Sequence, residues 1–97
     1  MVFWGGIVTN VNMLLSSLSM DLYRVAQAAN RGSVATCRRF LTETNRWSNE
    51  LEKMTLKPSV LKLINKTKQL QKYEVDQTLA EHALVYSILL KNQVIKN

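Results

Sequence analysis

By type, Cys37 and His82 are the residues in this chain best suited to chemistry, and the chain holds one cysteine and one histidine. A catalytic thiol needs an electropositive, accessible site and a base within reach. Both residues instead fall in apolar helical series. Cys37 recurs with Val34, Phe40, Leu41, Thr44, Trp47, Leu51 and Met54, and His82 with Val75, Leu79, Ala83, Tyr86, Leu89, Leu90 and Val94. Interior placement would raise the thiol pKa and keep substrate out, so the pattern predicts structural roles for both.

One Cys with one His also excludes a Cys/His zinc cluster within one chain. Carboxylates are sparse and poorly spaced. Glu74 and Asp76 diverge at i,i+2, Glu81 and His82 are adjacent and so point apart, and no Glu-x-x-His series occurs. Gly5-Gly6 stands alone, and Arg31-Gly32-Ser33 lacks the lysine of a phosphate loop. Helix capping accounts for Arg31 to Ser33 without an anion. The expectation is a chain with no catalytic residues, no metal and no cofactor, and not an enzyme.

The lysines are more informative. The chain has 13 basic and 7 acidic residues and a net charge of +6. Between Lys53 and Tyr73 stand Lys53, Lys57, Lys62, Lys66, Lys68 and Lys72 with no acid, and the rest of the chain is balanced. On a helical wheel, Lys62, Lys66, Lys68 and Lys72 are expected opposite Val60, Leu63, Ile64 and Leu70. A solvated face, partly neutralised by Glu74, Asp76 and Glu81, is one reading of it. An acidic protein partner steered by charge is another. Nucleic acid is the alternative reading of the same face. It lacks the arginines and interleaved aromatics that base readout and strand stacking favour, with Tyr73 alone at its end. Leu61, the one apolar residue near the lysines, is little to hold a membrane surface.

Apolar residues exceed the needs of one core. Leu84, Ile88 and Ile95 form a second stripe beside the main series of their helix, with Val85 between the two. Met13 and Met20 lie seven residues apart, away from the leucines that follow Val11. Phe3 and Trp4 add bulk further forward. A fourth helix buried on two sides, with Phe3 and Trp4 closing one end, would absorb them. An interface would use them as adaptable and anchoring contacts. A bundle of this size lacks the volume to enclose them all, so Met13, Met20, Leu84, Ile88 and Ile95 are predicted to serve self-association.

These residues must be carried on helices. Three Gly and one Pro argue against a many-turned β chain. Asn30-Arg31-Gly32-Ser33 reads as a helix stop and restart, with Gly in the left-handed position and Ser as the next cap. Pro58 suits a first helical turn. Leu14, Leu15, Leu18, Leu22, Val25, Ala26 and Ala29 share a face. Arg39, Glu43, Arg46, Glu50 and Lys53 alternate in sign along the outer side of the second helix. The spacing predicts helices over 9–30, 34–55, 58–72 and 74–95. The break in the apolar stripe between Leu70 and Val75 is the third boundary; without it the last two helices would be one rod about 57 Å long.

Ninety-seven residues suffice for one domain, residues 1–97, with a radius of gyration of about 13 Å. The fold class expected is all-α, a small antiparallel four-helix bundle, with the third and fourth helices continuous if residues 71–74 do not turn. No basic residue precedes Arg24, and Thr9, Asn10 and Asn12 interrupt the early apolar run, which argues against a secretory signal or a spanning helix. A lone thiol suits a reducing compartment, so a cytoplasmic location is expected. The function expected is a protein–protein interaction module, probing an acidic partner with lysines and a second copy of itself with apolar residues.

Overall fold

The structure, a computed structural model, describes the backbone of residues 2–96 and the side chains of residues 11–94. It contains α1 (Val2–Asn30), α2 (Val34–Glu52), α3 (Pro58–Gln69), a 3-10 turn (Leu70–Lys72) and α4 (Gln77–Lys96). Helix α1 packs against α2 and α4, and α3 packs against the same two helices. Short connections at 31–33, 53–57 and 73–76 then make successive helices antiparallel. The chain is an all-α four-helix bundle, with a radius of gyration of 13.4 Å and a long dimension of 46 Å. The 29-residue α1 sets that length, at about 1.5 Å per residue.

Local chemistry explains most boundaries. At the end of α1, Gly32 takes φ 72°. Its N–H donates to the Ala29 carbonyl at 3.1 Å, and the Ser33 N–H donates to the Ala28 carbonyl at 2.9 Å. This Schellman closure needs a left-handed residue, which Gly adopts without a Cβ clash. Contrary to the sequence expectation, the Ser33 side chain makes no capping bond to α2; its backbone carbonyl accepts from Cys37 N–H at 2.9 Å. Pro58 stands in the first turn of α3 behind an extended Lys57 at φ −62°, ψ 145°. A residue before proline is pushed out of the helical region, which keeps Lys57 extended ahead of α3; α2 itself ends at Glu52 rather than near 55. Helix α1 begins at Val2 rather than near 9. No proline interrupts residues 2–8, and each residue added to a nucleated helix gains a hydrogen bond.

The last two helices are separate. The Arg38 guanidinium on α2 donates to the carbonyls of Gln71 (3.2 Å) and Tyr73 (2.9 Å). Gln71 Nε2 in turn donates to the Leu41 carbonyl at 2.7 Å. These bonds satisfy backbone groups that a continuous helix would have paired internally. Helix α4 then starts at Gln77, not at 74. Asp76 caps it, accepting from Leu79 N–H at 3.1 Å through Oδ1.

The core is formed by Leu15, Leu18, Leu22 and Val25 of α1, Leu41 and Leu51 of α2, Ile64 of α3, Leu70, and Leu79 and Leu90 of α4, all fully buried. Each such side chain contributes about 1.5–3 kcal/mol by leaving water. Leu89 does not join them. It shares the wheel sector of His82 and Tyr86, which are half-buried, but is itself 44% exposed.

Candidate functional site

The two seams flanking α1 are built from different residues. On the α4 side two small polar side chains meet at the outer edge of the core. The Ser19 hydroxyl donates to the Ser87 carbonyl and the Ser87 hydroxyl to the Ser19 carbonyl, both at 2.8 Å. Reciprocal bonds of this kind require the two backbones to lie close. Ala26 on α1 and Ala80 and Ala83 on α4 are buried as well, and each repeats one of the serines by a heptad or about a turn.

Outside that close contact an open groove of about 710 Å³ runs between α1 and α4. Ser19 and Ser87 form its floor, while Met20, Tyr23, Leu84 and Ile88 form its walls. Met20 is 52% exposed and Ile88 53%. Arg24 and Lys91 stand at its edges. Beyond the groove the apolar surface continues around α4 through Val85 and Leu89, both exposed. The solvent side of α4 is therefore apolar over two turns, between Glu81 and Lys91.

Of the residues expected to serve self-association, Met20, Leu84 and Ile88 are brought together on this groove. Met13 is exposed one heptad ahead of Met20 on the same side of α1. Ile95, with Phe3 and Trp4, lies outside the residues whose side chains are described.

The four lysines do not share one surface. Lys62 and Lys66 are exposed and about 40° apart around α3. Lys68 stands about 120° from Lys62 and about 160° from Lys66. It is half-buried and bonded to Glu52 of α2 at 2.8 Å. Its neutralising acid is thus on α2, not among Glu74, Asp76 and Glu81. Lys72 lies in the 3-10 turn, where the α-helical wheel no longer applies.

Cys37 is fully buried, with its thiol against the Val25 carbonyl at 3.8 Å. Burial pushes the thiol pKa up, opposed in smaller part by Arg38, so it is a poor nucleophile. His82 is stacked between aromatic rings, 5.4 Å from Tyr73 edge-on and 5.9 Å from Tyr86. Burial and the neighbouring Tyr73 raise the Tyr86 pKa. Among the described residues no three His, Cys, Asp or Glu side chains gather to hold a metal ion, and no helix is long and apolar enough to cross a membrane. Protein-family models, curated protein sequences and solved structures give no match to this chain.

One polar constellation escapes the helical-wheel reading. Asp21 is buried on α1. Its Oδ1 accepts from Arg24 and its Oδ2 from the Trp47 indole N–H of α2, both at 2.8 Å. Arg24 also lies over the Phe40 ring at 5.7 Å, and Arg46 over the Trp47 ring at 4.6 Å. The sequence signal was present: an acid beside the leucine stripe, and a Trp on the facing stripe that must place its N–H somewhere. Pairing the two required knowing which helices face each other.

Proposed function

We propose that this chain is a non-enzymatic helical interaction module that self-associates through the outward face of α1 and α4. The observation that carries the reading is the solvent side of α4, where Leu84, Val85, Ile88 and Leu89 are each at least 40% exposed. Isolated surface leucines need no explanation, but a contiguous apolar patch marks an interaction surface. The methionine at the groove wall adds a side chain that repacks against a partner.

An acidic partner for the lysines is retained in a narrower form. Lys62 and Lys66 have no carboxylate partner among the described residues, whereas Lys68 is occupied by Glu52. A two-lysine surface supports charge steering. It is a thin basis for the nucleic-acid alternative, which would need an extended cationic track.

Light scattering or sedimentation across a concentration series tests the reading. The wild-type chain is expected to dimerise at micromolar to millimolar concentration. Ile88→Glu should give a monomer with unchanged helical circular dichroism, since that side chain is exposed. A wild-type chain that stays monomeric throughout would remove the proposal.

A further inference from the structure

Resting on the self-association reading, the structure assigns the partner's orientation: we infer that two copies pair α4 against α4 antiparallel, with Leu84 against the partner's Ile88 and Glu81 against the partner's Lys91. The spacing on α4 carries the inference. Glu81, Leu84, Ile88 and Lys91 follow one another at steps of three, four and three residues, which is the a, d, a, d spacing of a helix–helix seam. All four are exposed, so the seam is not used inside the bundle. Knobs at that spacing lie within about 40° of one line along the helix, and that line borders the groove whose walls include Leu84 and Ile88.

Charge decides the direction. In a two-fold pair each contact is made twice, with i meeting j and j meeting i. Antiparallel pairing centred near Tyr86 stacks a on d, so two central apolar layers join Leu84 to the partner's Ile88. The flanking layers then join Glu81 to the partner's Lys91, an acid to a base. Parallel pairing in register would set Glu81 against the partner's Glu81 and Lys91 against the partner's Lys91, with like charges in contact at both ends. The seam carries one acid and one base, while the net positive charge resides on residues 53–72. Self-repulsion between copies is therefore weak at this face and is screened over about 8 Å at physiological salt. The serine floor of the groove helps the fit, because Ser19 and Ser87 leave depth for a partner's leucine and isoleucine between Met20 and Tyr23 on one side and α4 on the other.

A charge-swap cycle on the full chain tests the orientation, read as the dimer dissociation constant at low salt by sedimentation. Glu81→Lys and Lys91→Glu should each weaken dimerisation by roughly tenfold or more, because each places like charges together twice per dimer. The double variant should recover to within about threefold of wild type, and raising the salt should shrink both single effects. Melting curves of the separate variants at concentrations below dimerisation control for folding, and both positions are exposed. A wild-type dimer whose affinity neither single swap changes, or whose double variant stays as weak as the singles, overturns the antiparallel seam and leaves self-association standing. A wild-type monomer overturns both together.

Discussion

Helix α1 presents two seams, and they are closed in opposite ways. Toward α2 the seam is roofed by large side chains. Phe40 lies under Arg24, and Trp47 reaches across to Asp21. Cys37 fills the space beneath, against Val25. Toward α4 the outer edge of the seam is held by Ser19 and Ser87, above the shared leucine core. Nothing large crosses above them, so Met20, Tyr23, Leu84 and Ile88 remain as bare walls. Two helices that pack through small residues approach closely, but they leave their flanking apolar side chains uncovered. The surplus apolar surface of this chain is therefore local to one seam rather than spread over the molecule.

Substitutions on the two seams should separate them sharply. Leu41→Ala, at a fully buried α2 position, is expected to cost about 2–5 kcal/mol in urea unfolding, from lost transfer energy and the cavity left behind. Ile88→Ala, on the groove wall, should change the stability of the dilute chain by no more than about 0.5 kcal/mol. Comparable losses at the two sites would mean the α4 face is covered in solution even by the lone chain.

A smaller effect probes the polar bridge of the α2 seam. Asp21→Ala leaves the Trp47 indole N–H without its acceptor and frees Arg24, whose side chain is 46% exposed. A loss of about 1–3 kcal/mol is expected, mostly from the half-buried indole. Asp21→Asn should recover part of it, since an amide oxygen can still accept. If the alanine variant is as stable as wild type, the bridge contributes nothing and the seam rests on apolar contact alone.

The smallest difference is a pH effect. Burial raises the pKa of Cys37 on the α2 seam and of Tyr86 on α4. The folded chain thus keeps protons that the unfolded chain releases. The unfolded thiol ionises at about 8.5 and the unfolded phenol at about 10. Stability from each group is complete below those values and falls as pH rises towards the folded pKa. Urea unfolding from pH 8 upward should show this decline, with Cys37→Ala flattening its earlier part and Tyr86→Phe its later part. A profile unchanged by Cys37→Ala would show that the thiol is not held out of water.

Much of this was readable from local chemistry. Gly32 and Pro58 marked two boundaries correctly, because a left-handed closure and a first-turn proline are short-range requirements. The apolar series of α1 and α2 named core residues such as Leu15, Leu22, Cys37 and Leu41, all buried. Errors arose where a long-range partner intervened. Lys68 was grouped with Lys62 and Lys66 although the helical step alone sets it about 120° or more from either, and Glu52 of α2 holds it. The wheel put Leu89 inside with Tyr86, but Leu89 stays exposed. Asp76 was read as an acid facing the lysines, but it caps α4 through Leu79 N–H, after Arg38 has taken the Tyr73 carbonyl that ends the preceding segment.

Periodicity by itself determined that the chain makes amphipathic helices and that its apolar residues exceed one core. These follow from residue type and spacing, which are properties of single elements. Tertiary structure alone decided which surplus stays in water. That outcome depends on the size of the side chains that two helices bring to one seam, here two serines 68 positions apart in the chain, and no helical wheel contains that distance.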